Sequence, residues 1–261
     1  MSGKAPDVEV IILGSGTSHG VPMIGCRCEV CTSDDPYDNR SRPSIFVKTG
    51  GLSVLIDTGP DLRSQCLAND IDRLDAVLFT HHHADHVTGL DDMRRFNWIM
   101  GGPVRLYGTE RTLQNIERMF RYAFEHAPDS PHDRPQFELH TVDHEPFEID
   151  GRRIVPIPLL HGKLPVLGFR FGDFAYCTDC SEIPDKSMAL LRDLDVLVLE
   201  ALRHTPHPAH FNLEQAIEAA KRIGAGRTYL THIAHQISHA EVSRTLPDGI
   251  QLAHDGLRII V

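Results

Sequence analysis

No apolar run in this 261-residue chain approaches the roughly 20 residues that a membrane span needs. The opening segment Met1-Ser2-Gly3-Lys4-Ala5-Pro6-Asp7 lacks a signal-peptide core. Both absences set the expectation of a cytoplasmic protein with no membrane partner. An excess of positive charge is missing too: 36 acids face 26 Lys plus Arg, a formal net charge of -10. The average field therefore repels phosphate backbones and argues against long nucleic acids as partners. A linker, an internal repeat and a low-complexity tract are also lacking. The longest stretch rich in Pro, Asp and His, Ala127 to Pro135, is too short to separate units and reads as a surface loop. The expectation is a single domain over residues 1–261, with a substantial core from its 41% hydrophobic residues.

What is present is a series of short runs rich in Val, Ile, Leu and aromatics. They predict strands at Val8-Leu13, Ser44-Lys48, Ser53-Ile56, Ala76-Phe79, Val104-Tyr107, Arg153-Ile157, Leu167-Phe171, Ala175-Thr178, Val196-Leu199, Thr228-Thr231 and Leu257-Val261. Helices are predicted over Thr109-Phe124 and Asn212-Ile223. In the second, Leu213, Ala216, Ile217, Ala220 and Ile223 repeat at helical spacing behind Asn212 as N-cap. Several strands follow one another directly in mid-chain, which disfavours a purely parallel sheet and favours two mixed sheets with helices outside.

The chemistry is concentrated after Ala76-Val77-Leu78-Phe79, where Thr80-His81-His82-His83-Ala84-Asp85-His86 packs four imidazoles and a carboxylate into seven residues. Unpaired, so many polar groups would carry a large desolvation cost in a core; divalent cations would satisfy them. Other strands end alike: Tyr176-Cys177 runs into Thr178-Asp179, Tyr229-Leu230 into Thr231-His232, and Leu159-Leu160 into His161. Strand ends converge on one rim, so these side chains are candidates for one site.

The motif H-x-H-x-D-H, followed by a distant His, Asp and His, resembles that of the metallo-β-lactamase superfamily of binuclear hydrolases. It is matched by His81, His83, Asp85, His86, His161, Asp179 and His232. Within that superfamily the chain looks most like the PhnP-type cyclic phosphodiesterases. Gly14-Ser15-Gly16-Thr17-Ser18-His19-Gly20-Val21-Pro22, Cys26-Arg27-Cys28-Glu29-Val30-Cys31 and Thr231-His232-Ile233-Ala234-His235-Gln236 carry the closer likeness. The resemblance implies an α/β fold, an αββα four-layer sandwich with two mixed β-sheets and the site at its rim. It assigns His81, His83 and His161 to one divalent metal, Asp85, His86 and His232 to a second, and Asp179 as their bridge. Zinc and manganese both suit such donors. The implied substrate is a small phosphorylated sugar or nucleotide-like molecule, a cyclic phosphodiester similar to 5-phosphoribosyl 1,2-cyclic phosphate, and the implied assembly is a homodimer.

Cys26, Cys28 and Cys31 form C-x-C-x2-C on a short loop, and a structural zinc takes four such soft donors in a closed shell. The resemblance nominates His235 as the fourth donor, making residues 20–42 a zinc-binding loop. An iron-sulfur cluster or a redox pair are the competing readings. Cys177 and Cys180 straddle Asp179 as C-x-x-C but read as packing thiols, and Cys66 as a core residue.

Two adjacent cations ionise a shared water near neutrality and neutralise a phosphoryl oxygen, which is what phosphodiester hydrolysis needs. Asp85 and Asp179 are the catalytic carboxylates in this reading. His210, before a helix, is the candidate proton donor or phosphate positioner, and Asp57 the candidate orienting partner of a ligand histidine. His82 is expected to face away from the site. The glycine loop after Leu13 is spaced G-x-G-x-x-x-G and fails as a dinucleotide fingerprint, although its amides are candidates to bind phosphate. Rival functions are a tRNA 3′-processing endonuclease, for which a Gly- and Lys-rich arm is missing, a thioester or lactam hydrolase, and a non-catalytic metal sensor.

Overall fold

The first strand shows how the sandwich is layered. In β1 (Val8–Gly14) Val10 and Ile12 face one side and Ile11 and Leu13 the other, because successive strand side chains point to opposite faces. All four are buried, so the strand is covered on both faces. The computed structural model describes residues 8–125 and 134–261. The loop expected at Ala127 to Pro135 falls largely outside them.

β2 (Ser44–Thr49), β3 (Leu52–Ile56), β4 (Ala76–Leu78), β5 (Val104–Gly108) and β6 (Phe137–Thr141) complete one sheet with β1. The second sheet takes β7 (Phe147–Ile149), β8 (Arg152–His161), β9 (Leu164–Phe171), β10 (Phe174–Cys177), β11 (Val196–Glu200), β12 (Arg227–Thr231) and β13 (Ile250–Leu252). β14 (Arg258–Ile260) returns to pair with β1, so the orders are β14-β1-β2-β3-β4-β5-β6 and β13-β12-β11-β10-β9-β8-β7. Both sheets are mixed: β1 through β3 pair antiparallel and β3 through β6 parallel, while β7 through β10 pair antiparallel and β10 through β13 parallel.

Val10, Ile12, Val47, Val54 and Leu78 of the first sheet meet Leu167, Phe169, Tyr176 and Val198 of the second in the central core. The outer face of the first sheet is covered by α1 (Leu62–Ala68), α3 (Met93–Met100) and α4 (Glu110–Met119), with the short α2 (Ala84–Val87) at its rim. α5 (Arg121–Phe124) and α6 (Asp185–Leu190) are single short turns. α7 (Leu213–Ile223) and α8 (His239–Ser243) cover the second sheet through Leu213, Ala216, Ala220 and Val242. The result is the αββα sandwich that the resemblance implies.

Asn212 caps α7 in a capping box with Gln215, its Oδ1 accepting from Gln215 N at 2.9 Å. The helix expected over Thr109-Phe124 instead breaks at Phe120, whose φ of -112° and ψ of 36° leave the helical region and separate α4 from α5. β6, β7 and β13 were not anticipated. β6 reads Phe-Glu-Leu-His-Thr and lies at a sheet edge, half exposed, while β7 and β13 have three residues each, too few for a periodic signal.

β3, β4, β10, β11 and β12 end at one rim. β8 runs with β10, since both are antiparallel to β9, and so delivers His161 to the same rim. Close approach there requires glycine: a Cβ on Gly59 would lie 2.5 Å from the Asp85 carbonyl oxygen.

Candidate metal centre

At this rim three non-glycine residues just beyond strand ends are left-handed: Asp57 after β3 (φ 64°), Asp179 after β10 (φ 51°) and His232 after β12 (φ 60°). Each costs about 1–3 kcal/mol and persists only where its surroundings impose it. All three side chains turn into the same rim.

His81, His83, His161 and Asp179 each offer a ligand atom within 4.8 Å of the others, and Asp85, His86, Asp179 and His232 do the same. Asp179 belongs to both groups, with a different oxygen in each. Its Oδ2 lies 3.8 Å from His81 Nε2 and 3.8 Å from His161 Nε2, while Oδ1 lies 3.2 Å from His86 Nε2 and 3.2 Å from His232 Nε2. Asp85 Oδ2 is 3.3 Å from His86 Nε2 and 3.8 Å from His232 Nε2. Donors bound at about 2.0–2.2 Å around one tetrahedral ion stand about 3.3–3.6 Å apart, so these spacings fit a cation in each group.

The outer nitrogens decide which ring atoms face inward. Asp57, wholly buried, accepts from Thr80 N at 2.9 Å and Thr80 Oγ1 at 2.8 Å, and its Oδ2 lies 2.7 Å from His86 Nδ1. With the Thr80 hydroxyl hydrogen given to Asp57, its oxygen is left to accept from His81 Nδ1 at 3.0 Å. His161 Nδ1 donates to the Ala209 carbonyl at 2.7 Å. These rings therefore turn Nε2 toward Asp179. His81 Nε2, His86 Nε2 and His232 Nε2 are buried with no hydrogen-bond partner, a costly arrangement that a bound cation removes.

Electrostatics point the same way. Burial holds the His81 imidazole well below its ordinary pKa. Burial also opposes charge on His86 and His232, yet the carboxylates win: Asp179, Asp85 and Asp57 hold His86 well above its usual value, and Asp179, Asp85 and Glu200 raise His232 to about 10. Burial would raise the Asp179 carboxyl, but the charges of His232 and His86 hold it well below the carboxylate range. The pocket demands positive charge between its carboxylates.

A second cluster lies on the 20–42 loop. Cys26 Sγ and Cys28 Sγ each stand 3.3 Å from His235 Nδ1, and Cys26, Cys28, Cys31 and His235 form one group of donor atoms within 4.8 Å. The N–H of Cys31 and then His235 pull the Cys28 thiol down to about 6. Burial and the neighbouring sulfurs push Cys31 up to about 11, although Met23 N donates to its Sγ at 3.3 Å. Three sulfurs this close are a soft tetrahedral donor set once His235 is added.

The sequence pattern of the Beta-lactamase superfamily domain matches residues 53–233, more than half of the chain. The chain belongs to the beta-lactamase superfamily. The match takes in every residue of the two rim groups and leaves Cys26, Cys28, Cys31 and His235 outside it. A crystal structure described as a new diphosphatase from the PhnP family is 48% identical and superposes with a TM-score of 0.91, over 97% of this chain and 98% of that one. A curated octanoyltransferase of Porphyromonas gingivalis is 38% identical over 96% of this chain, which spans 51% of that longer protein. A ribonuclease Z of a Mycobacterium species is 26% identical over 97% of this chain and 96% of its own length.

In this superfamily member His210 stands beside the rim groups: its ring lies 4.4 Å from that of His161 and stacks at 5.1 Å on that of His232. Its Nδ1 bonds Glu200 Oε1, and Glu200 Oε2 accepts from Cys180 N. Glu200, the wholly buried last residue of β11, was missed in the sequence because it ends the run Val196-Leu197-Val198-Leu199 with no ligand pattern around it. His82 is part-exposed and outside both groups, while the His207 ring lies tilted against that of His210 with centroids 4.8 Å apart. Cys177 and Cys180 are buried in the outer core as packing thiols; burial pushes Cys177 up to about 12. Cys66 is only partly buried against its core. Most amides of the glycine loop are spent internally: Ser15 N on Asp255, Gly16 N on Ser41, Thr17 N on Ile233, Gly20 N on Thr17 and Val21 N on Arg40.

Proposed function

We propose that this chain is a metal-dependent phosphodiesterase that opens a small cyclic phosphodiester of the 5-phosphoribosyl 1,2-cyclic phosphate kind. Two divalent cations, zinc or manganese, would be held by His81, His83 and His161 and by Asp85, His86 and His232, with Asp179 between them. Cys26, Cys28, Cys31 and His235 would hold a structural zinc. The observation that carries this reading is the division of Asp179, one carboxylate oxygen turned to each set of imidazoles.

When bound, the cation pair supplies Lewis acidity at a phosphoryl oxygen and ionises water near neutrality. The chain's own residues do the rest. Asp57 and the Ala209 carbonyl fix the orientation of His86 and His161, which removes reorganisation from the reaction. Glu200 holds His210 through Nδ1 and so fixes the ring, leaving Nε2 as the atom that would deliver a proton to the departing sugar oxygen, a poor leaving group unless protonated.

A second reading, hydrolysis of a diphosphate, is favoured by the 48% identical PhnP-family structure described as a diphosphatase. The net charge of -10 weighs against a tRNA substrate despite the ribonuclease Z relatives. Metal-loaded protein offered bis(p-nitrophenyl) phosphate, ribose 1,2-cyclic phosphate and a nucleoside diphosphate separates these readings. Metal-dependent cleavage of the two diesters supports the proposal; cleavage of the diphosphate alone favours the second reading, and cleavage of none removes both.

A further inference from the structure

A cleft of about 440 Å³ opens beside the rim groups and includes Asp85 in its lining. Its other walls include Ser18 and His19 of the glycine loop, Met23 and Ile24, and Arg42. Arg42 is the only Lys or Arg among these lining residues, in a protein whose formal charge is -10.

The structure holds that guanidinium in place while leaving much of it free. Asp61 Oδ2 accepts from Arg42 N at 2.9 Å and stands 3.1 Å from Arg42 Nε, so one carboxylate oxygen anchors both backbone and side chain. Among the described residues no protein acceptor meets either Nη, and the side chain is 29% exposed. Arg42 Nη1 lies under Gly20, 3.2 Å from where a Cβ there would stand, and Gly20 has φ +66°. A larger residue would crowd the guanidinium as well as strain the turn. Gly59 links the two walls: its Cβ position lies 2.5 Å from the Asp85 carbonyl oxygen and 3.5 Å from Arg42 Cβ, so those two atoms are within about 6 Å of each other.

Ser18 and His19 line the same cleft. Gly20 N donates to Thr17 O at 2.8 Å, closing a turn whose central residues are Ser18 and His19. Among the described residues neither Ser18 N nor His19 N meets a protein acceptor, in contrast to the spent amides around them. Uncommitted backbone donors, a fixed guanidinium and an exposed imidazole at His19 form a fork for an anion, and bidentate guanidinium contacts are the strong ones for phosphate. Asp85, the one carboxylate in the lining of this cleft, stands against the rim imidazoles, and Asp61 is engaged with Arg42.

We propose that this cleft receives a second anionic group of the substrate, a phosphoryl group remote from the ester being cut, and that Arg42 is its specificity-determining residue. The proposal rests on the phosphodiesterase reading and adds the cleft and the residue that tell a substrate with a remote phosphoryl group from one without it. Exposed Ile24 and partly buried Met23 offer an apolar wall for the sugar between the two anionic ends.

The test compares metal-loaded wild type with Arg42→Gln and Arg42→Lys on ribose 1,2-cyclic phosphate with and without a 5-phosphate. Arg42→Gln is expected to lower kcat/KM for the 5-phosphorylated compound about 10-fold or more beyond its effect on the unphosphorylated one, chiefly through KM, with partial rescue by Arg42→Lys. Equal effects on both compounds overturn the proposal. Calorimetric titration with ribose 5-phosphate gives a readout that needs no turnover: about 10-fold weaker binding by Arg42→Gln supports the subsite, and unchanged or absent binding in both proteins removes it. If wild type cuts neither cyclic compound nor bis(p-nitrophenyl) phosphate, the phosphodiesterase reading falls, and the titration still decides the subsite.

Discussion

Glu200 Oε1 bonds His210 Nδ1 and stands 3.4 Å from His232 Nδ1, so one buried carboxylate holds the candidate proton donor and places its charge beside an imidazole of the rim group. Two substitutions separate these duties. His210→Ala is expected to lower kcat by about 10²-fold or more with metal content retained, the usual scale for losing acid-base help. Glu200→Gln is expected to lower activity by about 10- to 100-fold and to weaken metal binding as well, because His232 loses the carboxylate charge beside it. Turnover on bis(p-nitrophenyl) phosphate together with elemental analysis reads both effects. Undiminished turnover of His210→Ala removes that residue from the mechanism.

Asp57 makes no approach to either candidate ion yet holds His86 through Nδ1 at 2.7 Å. Asp57→Asn keeps its shape but replaces a charged acceptor, and the expected result is about a 10- to 100-fold loss of metal affinity. Competition against a chromogenic chelator measures it. Unchanged affinity would reduce Asp57 to a turn residue.

Cys28→Ser is expected to remove about one zinc per chain and to loosen the loop, since a structural zinc contributes its binding energy to folding. Metal content by mass spectrometry of the native protein and protease sensitivity of the Cys26–Cys31 segment report the two halves. Retention of all bound zinc would count against the fourfold site formed with His235.

Metal uptake should release protons. His232 is raised to about 10 from an ordinary 6.5, so in chelator-treated protein its stabilising contribution is complete below about pH 6.5 and is lost as pH rises toward 10. His86, also raised, acts in the same direction. The unfolding midpoint of chelator-treated protein is therefore expected to fall across that window. A cation requires neutral imidazoles, so calorimetry in buffers of different ionisation enthalpy at pH 7.5 should show release of about one proton or more per chain. A buffer-independent enthalpy would contradict this charge balance.

Gly59→Ala tests the close packing that carries α2. A methyl 2.5 Å from the Asp85 carbonyl must displace the start of that helix, with Asp85 and His86 on it. The expected cost is about 1–3 kcal/mol of stability, read by chemical denaturation, together with reduced metal content.

The sequence by itself determined the donor chemistry and most of the strands. His81, His83, Asp85 and His86 lie within six residues, and no packing of that segment could separate them far. β1, β4, β8 and β11 were legible because buried strands read as near-continuous apolar runs. β6 and the break at Phe120 were not, because an exposed edge strand and a local backbone kink leave no period in the sequence. Only the tertiary structure decided how distant residues divide their work. That Asp179 gives one oxygen to each imidazole set, that Glu200 stands behind His210, and that Arg42 shares a cleft with Asp85 depend on strands from two sheets ending at one rim. Residue type sets what a side chain can bind, whereas long-range strand pairing sets which groups it meets.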